Sequence, residues 1–326
     1  MIIKIKKLVL NVVLAIVLSL ALFDINTMAD SKDSNMTYFN TNSKIEDVIN
    51  DSSFGNFGRL IFPVDEGYYS GDILKDLRLT WYTNIKSEKT VEIVNYMKEK
   101  SSNGEKIFYD IYTDEEKKKD PSKNDTGLFL FKGKPGEKFA ICNAGGGMVY
   151  VGAMHDSFPH ALELSKKGYN AFALIYRPGY DTATKDLARA ISFIFEHKDS
   201  LQVDTDNYSL WGGSAGARMA AWLSTYKTSD FGEKEYPRPT ACIMQYTGLS
   251  EVRGNEPPTY ACVGDNDGIA SFRVMTDRIN KIKKNRTNAM IEVFRGLSHG
   301  FGLGEGTVAE GWIDNAVKFW EDNSKS

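Results

Sequence analysis

From residue 127 onward the chain alternates short apolar runs with longer amphipathic ones. The apolar runs fall at 128–131, 139–142, 171–176, 208–211, 241–245, 260–263 and 291–294. Each is four to six residues long. Continuous apolar runs of this length predict strands buried on both faces. Between most of them the spacing predicts helices at 159–167, 182–197, 215–226 and 269–284, with a last one at 308–321. Strand and helix in alternation predict an α/β fold: a mostly parallel central sheet with helices on both faces. Such sheets carry their chemistry at the carboxyl ends of the strands.

The pattern before residue 127 is less regular. Residues 30–53 are polar and rich in Asn and Ser, which predicts a loose leader. Residues 54–85 hold Phe54, Phe57, Phe62, Tyr68, Tyr69, Trp81 and Tyr82 without a clean period, so irregular packed structure is expected. A helix is predicted at 90–100, with Val91, Val94 and Met97 on one face, then a turn at Asn103-Gly104 and a strand at 106–112. The charged run 114–121 reads as a solvated loop. The expected organisation is an aromatic-rich N-terminal extension or cap at 30–126 and an α/β domain at 127–326.

The first residues read as an address. Lys4, Lys6 and Lys7 precede an apolar run at 8–23, and Thr27-Met28-Ala29 supplies small residues for cleavage. This is the pattern of a secretory signal over 1–29. The alternative is a membrane anchor at 8–23, and a membrane is a partner only in that case. Removing 1–29 takes the formal charge from −3 to −5.

Composition narrows the class. Of 326 residues, 42% are hydrophobic and 25% charged, which excludes a disordered chain. The slightly negative charge argues against a nucleic-acid partner. Cys142, Cys242 and Cys262 lie within apolar runs and read as small core residues, too few and too scattered for a disulfide scaffold or a zinc site. The four histidines are His155, His160, His197 and His299, too few for a histidine-rich metal site, and no cofactor is called for.

The candidate chemistry begins at Gly212-Gly213-Ser214-Ala215-Gly216, between a strand and a helix. G-x-S-x-G in that context is a sharp turn presenting an exposed serine nucleophile. A serine hydroxyl needs a general base. His299 alone among the histidines follows Ser214, in a glycine-rich loop past the strand at 291–294. The orienting acid should follow an intervening strand, where Asp265 and Asp267 compete. Asp267 stands at the Gly264-x-x-Asp position, and Asp265 suits a turn cap. Backbone donors for an oxyanion are expected from Gly145, Gly146 and Gly147, which follow the strand at 139–142, and from Ala215.

These segments together resemble the α/β-hydrolase superfamily over about residues 127–323. More narrowly they resemble its acetyl-esterase and hormone-sensitive-lipase-like branch, which includes bacterial feruloyl-esterase-like and acetylxylan-esterase-like enzymes. The resemblance implies cofactor-free hydrolysis of carboxylic esters, often with short acyl groups. Ala144 stands where that branch usually has the histidine of His-Gly-Gly-Gly, which keeps the backbone donors but loses a side chain that often orders the loop. Tyr176-Arg177-Pro178 resembles the branch's Tyr-Arg segment, and Arg177 reads as structural, paired with Asp186.

The function expected is a secreted serine carboxylesterase acting on short-chain, acetyl-type esters, with a small-molecule or carbohydrate ester as its partner. A serine peptidase or longer-chain lipase of the same fold stays open, as does a non-catalytic binding protein. Oligomeric state is not legible. The aromatic segment reads either as a cover on the sheet or as a lid offering Tyr68, Tyr69 and Trp81 to a sugar or aryl ring. Arg218, one turn past Ser214, either binds a substrate carboxylate or, as preferred, supports the turn through an ion pair. His155 and His160 read as core or helix-start residues.

Overall fold

The structure is a computed structural model that describes residues 36–82 and 84–324. The signal expected at 1–29 and the alternative anchor at 8–23 lie outside these residues.

Residues from Phe39 onward form one compact unit. It begins with α1 (Ile45–Ile49), a 3-10 stretch at Ser52–Leu60 and a small antiparallel pair, β1 (Tyr69–Ser70) and β2 (Arg78–Leu79). Thus 54–82 is irregular but packed, with Phe54, Leu60, Leu79 and Tyr82 buried. Next come α2 (Ser87–Ser102), β3 (Phe108–Tyr109) and α3 (Asp114–Lys119). The expected strand at 106–112 is therefore only two residues long.

The expected loop at 114–121 is instead a helix. Thr113 and Glu116 make a reciprocal capping box, with acids in the first turn and lysines in the last. The α/β region follows as β4 (Gly127–Phe131), β5 (Lys138–Asn143), α4 (Ala153–Asp156), α5 (Phe158–Lys166) and β6 (Asn170–Ile175). It continues with α6 (Tyr180–Glu196), α7 (Lys198–Leu201), β7 (Asp204–Gly213) and α8 (Ala215–Thr225). Last come β8 (Ala241–Gln245), β9 (Thr259–Gly264), α9 (Phe272–Lys284), β10 (Ala289–Phe294) and α10 (Trp312–Asp322).

Among the described residues the main sheet has eight strands in the order β10-β9-β8-β7-β5-β6-β4-β3. The six from β10 to β6 run parallel, while β4 and β3 are antiparallel additions at one edge. β3 belongs to the N-terminal extension, so that segment contributes a strand to the sheet of the α/β domain. β4 through β6 are buried along their whole length, as two-sided helix cover requires. The chain leaves β5 toward β6 and returns on β5's other side as β7, so β5 and β7 flank the switch point where such sheets build sites.

At the exit of β6 a buried ion pair clips the extension to the core. Arg177 donates from Nη2 to Asp186 Oδ1 at 2.7 Å and from its backbone N–H to Oδ2 at 2.8 Å. Tyr112 donates to the same carboxylate at 2.7 Å, and Arg177 Nη1 reaches Asp120 at 2.8 Å. Asp186 is fully buried. Asp186→Ala leaves the buried Arg177 guanidinium with only the more exposed Asp120 as counter-charge, so chemical denaturation should show a loss of about 3 kcal/mol, the low end for breaking a buried ion pair.

Candidate active site

The turn at Ser214 follows from steric limits. Ser214 has φ 52° and ψ −115°, a conformation that costs a non-glycine residue free energy and persists only where its surroundings hold it. Its N–H donates to Gln245 O on β8 at 3.0 Å. Helix α8 starts so close to β5 that a Cβ on Gly216 would lie 2.0 Å from Asn143 O. One on Gly212 would meet the Gly216 backbone at 2.3 Å. Both positions therefore admit only glycine, and the serine projects from the tip.

His299 Nε2 lies 3.0 Å from Ser214 Oγ, and His299 Nδ1 lies 2.8 Å from Asp267 Oδ2. The Asp267 side chain is fully buried and that of His299 is 9% exposed. The other Asp267 oxygen accepts the N–H groups of Ile269 and Ala270 at 2.8 and 2.7 Å. That turn aims the carboxylate and delays α9 to Phe272, past the start at 269 that periodicity predicts. Asp265 is turned elsewhere and accepts Gly296 N–H at 2.6 Å. A carboxylate, an imidazole and a hydroxyl in this order can draw a proton from the hydroxyl and stabilise the resulting imidazolium.

The loop after β5 divides its backbone groups between two sides. The Ala144, Gly145 and Gly146 carbonyls accept from Tyr176 Oη, Gly152 N–H and Val149 N–H at 2.8, 2.9 and 3.0 Å. Gly145 N–H is also used internally, donating to Asp156 Oδ2 at 2.9 Å. Gly145 is therefore removed from the expected donors to an oxyanion. The N–H groups of Gly146, Gly147 and Ala215 have no acceptor among the described residues. Gly146 and Gly147 join Ser214, His299, Trp81, Tyr82 and Ile269 around a cavity of about 170 Å³. A second cavity of about 530 Å³ also borders His299, between Ile85, Met154, Phe301 and Leu303.

Of the aromatic residues offered to a ligand, only Trp81 lines the small cavity. It sits at φ 70° and lays its indole over Gly147, where an added Cβ would touch the ring at 2.8 Å. Tyr68 stacks instead on Tyr150 at 4.8 Å, and Tyr69 packs against Phe62 at 6.0 Å. Neither lines the cavity. Arg218 does not line it either, and it makes no ion pair among the described residues. Its guanidinium lies 5.8 Å from the Trp222 ring, so the expected ion-paired support of the turn is replaced by this contact.

Sequence reasoning passed over Tyr82, Asp156 and Tyr246. Both tyrosines donate to the buried Asp156 carboxylate, Tyr82 at 3.0 Å. The available signal was a lone acid in an otherwise apolar stretch, Tyr150-Val151-Gly152-Ala153-Met154-His155-Asp156.

With the geometry in place, the chain can be set beside known proteins. It has the α/β-hydrolase fold. A family model described as BD-FAE matches residues 132–292. Esterase 2 of Thermogutta terrifontis, solved with propionate bound, is similar at TM-score 0.53 and 19% identity over 60% of this chain and 89% of that one. An acetyl ester-xyloside bifunctional hydrolase from Caldicellulosiruptor lactoaceticus is similar at TM-score 0.55 and 21% identity, covering 60% and 88%. MGS-M1, an α/β-hydrolase from a Medee basin deep-sea metagenome library, is similar at TM-score 0.51 and 20% identity, covering 60% and 92%. No curated protein sequence matches the chain significantly.

The remaining histidines of this region are core residues. His155 is buried with Nε2 2.8 Å from Gly300 O, and His160 packs against Trp312 at 5.6 Å. Burial lowers both pKa values, that of His160 to about 4. At His160 the unfolded chain takes up a proton near pH 6.5 that the folded chain refuses until about pH 4. The thermal midpoint should therefore fall as pH drops through that window, and His160→Leu should make the fall shallower in calorimetric scans.

Proposed function

We propose that the protein is a secreted serine carboxylesterase that cleaves short acyl groups, with carbohydrate-linked esters as the substrate class. The observation carrying this reading is the contact chain Asp267–His299–Ser214, which ends in a small cavity that Gly146 and Gly147 also line.

Ser214 Oγ attacks the ester carbonyl as His299 Nε2 takes its proton. The carbonyl oxygen becomes an oxyanion within reach of the Gly146, Gly147 and Ala215 N–H groups. Such preorganised donors are worth roughly 3 kcal/mol each. The tetrahedral intermediate collapses to an acyl-enzyme, and the imidazolium returns the proton to the departing alkoxide. Water, activated by the same imidazole, then releases the acid and restores Ser214. Asp267 holds the tautomer with the proton on Nδ1 throughout.

Acyl length follows from space. At about 170 Å³ the cavity is smaller than the ~300–1,000 Å³ clefts that take drug-sized ligands. The Trp81 indole and the Gly147 backbone close one side. The larger cavity, which His299 also borders, is the space this reading offers to the departing alcohol. The structurally similar Thermogutta esterase with bound propionate, and the acetyl ester-xyloside hydrolase, support the same acyl range.

A p-nitrophenyl ester series tests this. kcat/KM should be highest for acetate or propionate and fall at least tenfold by octanoate, and Ser214→Ala should lower kcat at least ~10³-fold. A rate that rises with chain length, or survives the substitution, refutes it. Acetylated xylan in a parallel assay should release acetate. Export predicts a mature chain starting at Asp30, which N-terminal sequencing of the secreted protein reads directly.

A further inference from the structure

We propose that Asp156 is the positioning residue of the oxyanion loop, the one buried carboxylate through which four segments of the site are held in register. The proposal rests on the esterase reading above. Asp156 is 2% exposed and ends α4, directly beneath the loop. Its Oδ2 accepts Gly145 N–H at 2.9 Å and the Tyr82 hydroxyl at 3.0 Å. Its Oδ1 accepts the Tyr246 hydroxyl. Three donors and no acceptor surround it, which suits a carboxylate, an acceptor on both oxygens.

Each donor belongs to a different part of the site. Gly145 opens the loop whose next two residues line the cavity. Tyr82 follows Trp81, the cavity wall, and its ring lies 4.6 Å from His155. Tyr246 follows Gln245, whose carbonyl holds the Ser214 N–H, and its ring meets His299 edge-on at 4.9 Å. The Tyr246 hydroxyl in turn accepts Gly302 N–H, three residues past His299, at 3.3 Å. Burial, and then the neighbouring carboxylate, push both phenols well above their ordinary pKa, so each keeps the proton it donates.

The consequence for chemistry runs through one peptide plane. Turning Gly145 N–H down to Asp156 fixes the Ala144–Gly145 peptide, with the Ala144 carbonyl held by Tyr176. The next two residues, Gly146 and Gly147, line the cavity with N–H groups that have no acceptor among the described residues. The fit is close: a Cβ on Gly145 would lie 2.0 Å from Tyr82 Oη and 2.8 Å from Asp156 Oδ2. A Cβ on Gly213, beside the nucleophile, would lie 2.3 Å from the same carboxylate oxygen. Ala144 offers no side-chain hydrogen bond to order this loop. Asp156 orders it from below.

The test is Asp156→Asn, which keeps the shape but replaces one accepting oxygen with a donor. Rates on p-nitrophenyl acetate are taken per active site, counted by exhaustive fluorophosphonate labelling. kcat should fall roughly hundredfold, the size expected for loss of an oxyanion donor, with KM within threefold. Where that variant does not fold, Tyr82→Phe combined with Tyr246→Phe removes two of the three donors and should lower kcat at least severalfold, again with KM retained. A residue with a purely structural role lowers the thermal midpoint and leaves kcat per labelled site unchanged, and that result in either variant overturns the proposal. Absence of labelling at Ser214 in the wild type sinks the esterase reading instead, so the two failures are told apart.

Discussion

The parallel pairing of β5 with β7 is the constraint on which the site depends. Asn143 stands opposite Gly212 at the carboxyl ends of these strands. The loop that offers N–H groups and the turn that offers Ser214 therefore leave the sheet as immediate neighbours. Helix α8 must then start against β5, which only glycine at 212 and 216 permits. A slip of one residue between these strands would send the serine to the other face of the sheet. The acid and histidine loops are carried by β9 and β10, beyond β8, and their turns reach back over the same edge.

Much of this was legible because the signals were local. Seven apolar runs marked β4 to β10; strands buried on both faces need no alternation, and only the edge strand β10 is mostly half-buried. Ser214 and His299 were readable because a strained turn demands glycines and because one histidine follows the serine. Asp267 was favoured over Asp265 from its place in the turn alone. What stayed hidden depended on long-range contacts or on signals weaker than periodicity. Helix α3 has no apolar face, so a period search passes over it, and its local signs are the capping box at Thr113 and Glu116 and the order of acids before lysines. Gly145 is indistinguishable from Gly146 and Gly147 in the sequence, because the difference is made by a carboxylate eleven residues away. Tyr82 and Tyr246 reach that carboxylate across 74 and 90 residues. Arg218 has the spacing of an ion-pair partner, but the neighbour that the fold supplies is the Trp222 ring.

Three of the buried carboxylates among the described residues tie distant segments together, and each is satisfied differently. Asp186 meets a guanidinium and a phenol, Asp267 an imidazole and two backbone N–H groups, and Asp156 one backbone N–H and two phenols. A charge taken out of water is costly unless every lone pair finds a donor. The donors come from segments distant in sequence, so each acid works as a fastener between loops that apolar packing alone would leave adjustable. Two of the three lie within the site, where small errors in atomic position cost most.

The left-handed Trp81 gives the protein an optical property. Of its five tryptophans, Trp211, Trp312 and Trp320 are buried and Trp222 is half-buried. Trp81 alone is largely open to water, at 55% exposure, and its indole borders the nucleophile's cavity. Its emission is the red-shifted share of the spectrum and the share a soluble quencher reaches. Occupancy of the cavity can therefore be followed by fluorescence on the unmodified chain, without a chromogenic substrate.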